Sequence, residues 1–360
     1  MMFKNRLAMA IFAAGISTQV AAVELGEFNG TKLSIGGYVK AEGIVDMPDE
    51  GDQDFEGSMR QTRLNFSAAK EVDGHKLKAF VEADFWDNNT TPDDSTYAPR
   101  MRHAYITVDN LTVGQTWNGQ FFANAPFDVE MLNFWGPGTG TIAGNGAVVR
   151  PDLVVHYTLG GLRLTAQDPV WSEAAYPDMV AAYTYRTSGH AFNLAVTGRE
   201  VGTGGAPGDD SEFGAAVSAA AKLQFADTTL ALSAYTGEGA GVYAGWGYNG
   251  ARGADQSVDV NDQGDLITTT GFSAGVTQKF MDNLRGTVRY GQVEADEVAA
   301  TMEEDTLKMV NVNLIYTYMP GLDFGIEWRD QNAATRPPTA ASSSMRPEGQ
   351  QVEIMAMYKF

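Results

Sequence analysis

The chain has 360 residues, with 45 Asp and Glu against 25 Lys and Arg, a formal net charge of −20 and no cysteine. A disulfide framework and a cysteine-ligated metal site are therefore excluded, and nucleic acid is a poor partner because phosphate attraction needs clustered surplus cations. Forty glycines, 11% aromatics and a slightly negative mean hydropathy suit strands that present apolar side chains on one face only.

At the N-terminus Lys4 and Arg6 precede an apolar run from Leu7 to Ile16, and Val20-Ala21-Ala22 offers small residues before a cut after Ala22. Residues 1–22 read as a secretory signal peptide, leaving 23–360 as one domain whose net charge is −22, since the leader takes two cations and no acid. No later stretch of about 18 apolar residues predicts a transmembrane helix.

Beyond the leader, period-2 segments separated by turn signals predict strands near 32–46, 60–71, 75–85, 100–108, 111–117, 152–159, 161–168, 178–187, 190–200, 212–225, 228–237, 265–280, 284–295, 306–319, 322–330 and 349–360. Their connections alternate strictly between short and long. The short ones are Asp73-Gly74, Asp109-Asn110, Leu159-Gly160-Gly161, Ser188-Gly189, Ala226-Asp227, Asp282-Asn283 and Pro320-Gly321, with the residue chemistry of tight hairpins. The long ones are 47–59, 86–99, 118–151, 169–177, 201–211, 238–264, 296–305 and 331–348. This arithmetic predicts an all-β fold, a sixteen-stranded transmembrane antiparallel barrel with short periplasmic turns and long outer loops. The last strand alternates Val352, Ile354, Ala356, Tyr358 and Phe360 with Gln351, Glu353, Met355, Met357 and Lys359. Tyr358 and Phe360 match the aromatic girdle at a membrane edge.

The third long connection is unusually apolar, with Phe121, Phe122, Phe127, Met131, Leu132, Phe134 and Trp135 ahead of the glycine-rich stretch from Gly136 to Gly146. Exposed, such a loop would be a liability. It is expected either to fold into the barrel and narrow the pore, its aromatics on the inner wall, or to pack on a neighbouring subunit. The acidic run Asp46 to Asp54 is spaced somewhat like a Ca²⁺ loop, but no Glu closes the motif. A solvated loop is the plainer reading, and no metal or cofactor is expected.

Alternation also assigns facing. With Leu64 and Phe66 toward lipid, Arg63, Asn65 and Ser67 turn inward; with Leu77, Ala79 and Val81 outward, Lys78, Glu82 and Asp84 turn inward. The same parity sends Lys40, Glu42, Arg163, Arg186, Arg199, Arg285, Arg289, Glu327 and Arg329 to the lumen. Strand 100–108 is ambiguous: Arg100 and Arg102 belong inside, because charge on the lipid face costs a few kcal/mol, but strict alternation then turns His103 and Tyr105 out. An inward arginine array inside a low-dielectric wall favours anions, with Arg63, Arg102, Arg163, Arg285, Arg289 and Arg329 as the main contributors. The alternative is that each arginine pairs with an inward acid and only solvates the wall.

Five segments carry a family resemblance: Gly36-Gly37-Tyr38-Val39-Lys40-Ala41, Arg60-Gln61-Thr62-Arg63-Leu64-Asn65-Phe66, Val81-Glu82-Ala83-Asp84-Phe85-Trp86, Arg100-Met101-Arg102-His103-Ala104-Tyr105 and Val113-Gly114-Gln115-Thr116-Trp117. In this order they resemble the DcaP-like outer-membrane porins of Gram-negative bacteria, over residues 33–151 and the last strand. The resemblance implies a trimeric sixteen-stranded porin in the outer membrane, an inward third loop, passage of small anions and especially dicarboxylates, and a terminal aromatic, Phe360, read by the barrel-assembly machinery. Family members can carry an N-terminal coiled coil; with only about ten residues between the expected cut and the first strand, none is expected here. The rival function, an outer-membrane hydrolase, finds no Gly-x-Ser-x-Gly, His-Glu-x-x-His or phosphate-loop motif. Within the channel class a non-selective or weakly cation-favouring general porin stays open.

Overall fold

The computed structural model describes residues 22–85, 98–132, 150–170, 172, 174–203, 210–245, 259–296, 305–332 and 348–360. The expected leader, apart from Ala22, lies outside the described residues, as do Phe134 and Trp135.

Eighteen strand segments join in one antiparallel sheet. In chain order they are β1 (Val23–Phe28), β2 (Thr31–Pro48), β3 (Asp54–Ser58), β4 (Arg63–Val72), β5 (His75–Asp84) and β6 (Arg100–Val108). Next come β7 (Leu111–Gln115), β8 (Val154–Leu159), β9 (Leu162–Gln167), β10 (Asp178–Thr187), β11 (His190–Gly202) and β12 (Ser211–Phe225). The last six are β13 (Thr228–Glu238), β14 (Thr268–Met281), β15 (Leu284–Ala295), β16 (Thr306–Met319), β17 (Leu322–Gln331) and β18 (Gly349–Lys359).

Two pairs of segments share a position. β3 and β4 lie end to end along one flank of β2, and β1 and β18 lie end to end along its other flank. The barrel is therefore closed and sixteen-stranded, so each of the sixteen positions around it is paired on both sides. At the seam Gly37 and Phe360 exchange backbone hydrogen bonds, both 3.1 Å. Two segments go beyond the expected set: β1 falls where only a short lead-in was expected, and β3 lies within the first long loop.

Turn chemistry accounts for the tight ends. Asp73 and Gly74 take φ of 52° and 84°, the double left-handed geometry whose twist matches the flanking strands. Outward positions form an exposed apolar band including Leu64, Phe66, Ile106, Leu194, Val196, Val288, Leu314, Ile326 and Ile354. Tyr185, Phe225, Phe280, Tyr318 and Tyr358 are exposed near the tight-turn end, as an aromatic girdle requires. Inward positions carry the polar and charged residues, among them buried Lys40, Arg102, Arg199, Arg289, Glu327 and Arg329.

Strand β6 corrects the parity reading. Glu82 pairs with His103 and Ala83 with Met101, so Arg102 is an extra residue bulged between them. A bulge shifts the alternation by one. Arg100 and Arg102 face inward below it, and His103 and Tyr105 also face inward beyond it, Tyr105 stacking on inward Phe80 at 5.2 Å. Ala104, Ile106 and Val108 take the outer face. The bulge keeps both arginines off the apolar band without sacrificing the apolar run that follows.

Candidate constriction in the barrel lumen

The described part of the third loop, residues 118–132, runs inside the barrel. Asn118 caps a short helix, α1 (Gly119–Asn124), its Oδ1 accepting from Phe121 N at 2.8 Å. The helix is pressed onto the wall: a Cβ on Gly119 would sit 2.8 Å from Thr165 Oγ1 and 2.8 Å from Val180 Cβ. Gln120 Nε2 donates to Ser218 Oγ at 2.6 Å, and its Oε1 accepts from Thr197 Oγ1 at 2.8 Å. Phe121 stacks on Trp117 with ring centroids 4.1 Å apart, and Phe127 is buried. Phe122 lies in α1.

After the helix the loop is tied across the opposite wall. Lys222 Nζ donates to Asp128 O at 2.8 Å. Arg289 grips Asp128 from Nε and Nη2, both at 2.9 Å, and Arg285 grips Glu130 at 2.5 and 2.7 Å. Asn313 Nδ2 donates to Glu130 O at 2.9 Å. Leu132 N donates to Glu327 Oε2 at 2.9 Å, while Lys40 Nζ donates to Leu132 O at 2.5 Å. Two wall glycines make room: a Cβ on Gly275 would be 2.8 Å from Val129 Cγ2, and one on Gly325 would be 2.8 Å from Leu132 Cδ2. Of the two placements expected for this loop, the inward one holds.

The arginines divide by what they meet. Arg285 and Arg289 are engaged by acids of the loop, and Arg285 also reaches Asp323 at 3.4 Å. Lys40 bridges Glu42 at 2.5 Å and Glu353 at 3.0 Å. Arg329 Nη2 donates to Gln351 at 2.5 Å, and Gln351 in turn to Asp46 at 2.5 Å. Arg199, at the long-loop end, meets Asp259 at 2.9 Å and Asp178 at 3.5 Å. Arg163 is half-buried on β9 beside His156, and Arg186 is inward but exposed near a tight turn. Lys78 lies 5.3 Å from the Phe80 ring centroid.

Arg60, between β3 and β4, meets Glu56 at 3.3 Å, and four further arginines gather on the β4–β6 wall. Arg100 forks onto Asp84 at 2.9 and 2.8 Å; Arg102 meets Glu82 at 2.9 Å and Asp84 at 2.6 Å. The Arg63 guanidinium stands 5.4 Å from the Tyr38 ring centroid. Arg150, just ahead of β8, lies 4.8 Å from the Trp117 centroid and is an electrostatic neighbour of Arg63, Arg100 and Arg102. Sequence reading left out Arg150, which belongs to no strand, and the anchoring roles of Asp128 and Glu130. The Asp128-x-Glu130 spacing, matching Arg285-x-x-x-Arg289 on a facing strand, was the available signal. Among the described residues no cluster of three or more His, Asp or Glu could hold a metal.

No protein-family model matches the chain, and no curated protein matches it. Solved structures do. The outer membrane channel DcaP of Acinetobacter baumannii superposes with a TM-score of 0.70 at 20% identity, over 93% of this chain and 99% of that one. An anion-selective porin from Comamonas acidovorans gives 0.64 at 12% identity, over 92% and 100%. Salmonella typhi OmpF, in complex with daunomycin, gives 0.63 at 12%, over 94% and 100%. The resemblance read from the five sequence segments thus has its counterpart in three dimensions, and this chain has the fold of the outer-membrane porins.

Proposed function

We propose that the protein is an outer-membrane porin through which small hydrophilic solutes diffuse passively, with a preference for anions such as dicarboxylates. The observation that carries this reading is the gathering of guanidinium groups on the β4–β6 wall: Arg63, Arg100, Arg102 and Arg150 are electrostatic neighbours, and Glu82 and Asp84 hold Arg100 and Arg102 in place. The acids of the third loop, Asp128 and Glu130, are turned to Arg289 and Arg285 on the other wall. They are thereby kept away from this cluster. Guanidinium remains charged at any working pH and fits carboxylate bidentately. A wide array of such groups attracts an anion without trapping it, as conduction requires.

The anion-selective porin among the similar structures supports the same preference. A trimer is proposed on the trimeric form of a similar porin, Vibrio cholerae OmpT. Residues 1–22 are proposed as the cleaved export signal, and Tyr358 with Phe360 as the element that meets lipid and the assembly machinery. The second reading, a general porin with little or cation-leaning selectivity, draws on the chain's net charge of −20. Reversal potentials of the purified protein in planar bilayers under a KCl gradient separate the two. A potential of the sign set by chloride supports the anion reading; a cation-selective or null potential overturns it.

A further inference from the structure

A second loop folds inward. After β13 the chain turns back under the barrel mouth, and Gly241–Ala244 forms a buried 3-10 turn. Val242 and Tyr243 join one apolar cluster with inward Tyr235, Val293 and Leu307. Where the loop returns, Asp259 Oδ1 accepts from Val242 N at 3.1 Å, and Asp259 Oδ2 from Arg199 Nη1 at 2.9 Å. The turn is thereby fastened to β11.

From Tyr243 a line of buried hydrogen bonds leads to the third loop. Tyr243 Oη donates to Asp178 Oδ2 at 2.5 Å and accepts from Gln167 Nε2 at 2.7 Å. Gln167 Oε1 accepts from Gly119 N, the first residue of α1, at 2.8 Å. Both ends of one side-chain amide are used, one on each inward loop. The Gly119 N–H belongs to the first helical turn, where no intrahelical acceptor exists. Without Gln167 this buried donor would lack its acceptor, and the helix could satisfy it only by lifting off Thr165 and Val180 toward water.

We propose that Gln167 and Tyr243 are positioning residues of the constriction: the sixth loop braces the third through this amide, and the aperture depends on the brace. The inference rests on the reading of the chain as a channel narrowed by its third loop. It also gives the mouth of the barrel a mechanical connection to the narrowest section. Neither side chain needs to touch the solute for this.

The test uses Gln167→Leu, Tyr243→Phe and the double variant, each in the full chain and each checked for heat-modifiable migration of the folded barrel. Open-channel current noise reports movement of the third loop directly. Because the chain has no cysteine, a single Ala123→Cys gives a second readout: Ala123 is 0% exposed, packed with Val180, Ala182 and Ala195. Its labelling by a small lumen-permeant thiol reagent measures how often α1 leaves the wall. Each single variant is expected to raise labelling ~5-fold, the factor that corresponds to one hydrogen bond of about 1 kcal/mol, and to raise the noise. The double variant should do no more than either single one, because both act through one amide. Folded variants with parental labelling and noise overturn the brace, and so do additive effects, which would mean that Tyr243 acts elsewhere. If the parent conducts nothing, the channel reading fails while the labelling still decides the brace.

Discussion

Replacing Arg102 by Gln is the sharpest perturbation of the proposed selectivity. Arg102 is buried, its Nε is 2.9 Å from Glu82 and its Nη1 2.6 Å from Asp84. The substitution removes one unit of positive charge from the wall on which Arg63, Arg100, Arg102 and Arg150 gather. An anion passing about 6 Å from the lost guanidinium forfeits about 0.7 kcal/mol at the dielectric of water, and about 2.8 kcal/mol at an effective value near 20. The water-filled limit alone lowers local anion occupancy about threefold. Cations gain by the same factor, so in this limit the anion/cation permeability ratio should fall about tenfold before screening, and about fourfold at 0.1 M salt. The assay is the reversal potential around 0.1 M KCl, where the screening length is about 10 Å; near 1 M, at about 3 Å, the difference should fade.

Two companions make the argument refutable. Arg102→Gln with Glu82→Gln removes one positive and one negative charge and so restores the parental formal charge of the wall, and its ratio should return toward the parent. Arg186→Gln, inward but exposed near a tight turn, should change the ratio little. Asp84 keeps its fork from Arg100 at 2.9 and 2.8 Å in every variant, which favours a folded barrel. A parental ratio in Arg102→Gln, or a charge-restored double variant that stays as shifted as the single one, refutes the electrostatic account of this wall.

Asp128→Asn should free the middle of the third loop and destabilise the barrel by about 3–5 kcal/mol, because Arg289 is fully buried and loses this counter-charge; denaturant midpoints and current noise read both effects. Gly275→Val and Gly325→Val should each shift single-channel conductance in a folded barrel, since the added side chain enters space held by Val129 or Leu132. Gly57→Val, with nothing within 4 Å of an added Cβ, is the control that should leave conductance unchanged. Ala226, at φ 50°, is a non-glycine residue in the left-handed region, so Ala226→Gly should stabilise by about 1 kcal/mol in urea unfolding. Phe360→Ser should lower outer-membrane levels of the protein, measured by fractionation, if the terminal aromatic guides assembly.

Most of the barrel was legible because its grammar is local. A strand with one apolar face announces itself at period 2, and a tight hairpin announces itself by Gly, Asn or Asp. What escaped lacked one of these signals. β3, Asp-Phe-Glu-Gly-Ser, has no sustained apolar face, and β1 has six exposed residues with no alternation of burial. The Arg102 bulge adds a residue that a period-2 count cannot see, yet a trace was present. Arg100 and Arg102 share even parity with Ala104, Ile106 and Val108, a combination no single face can hold. Mixed parity within one strand is itself the signature of a bulge.

Parity, with the cost of charge in lipid deciding for Arg100 and Arg102, turned the strand arginines to the lumen; it could not settle which of them a solute meets. That depends on acids far away in the chain. Arg285 and Arg289 look, on β15 alone, like the best anion sites in the barrel, yet Asp128 and Glu130 reach them from a loop more than 150 positions earlier. In the proposed channel the third loop therefore works on charge as well as on width. There its carboxylates, set against Arg285 and Arg289, neutralise that part of the lumen and stay away from the arginines of the β4–β6 wall. The ion pairs on Arg285 and Arg289 are thus as much determinants of the proposed selectivity as the arginines of the opposite wall.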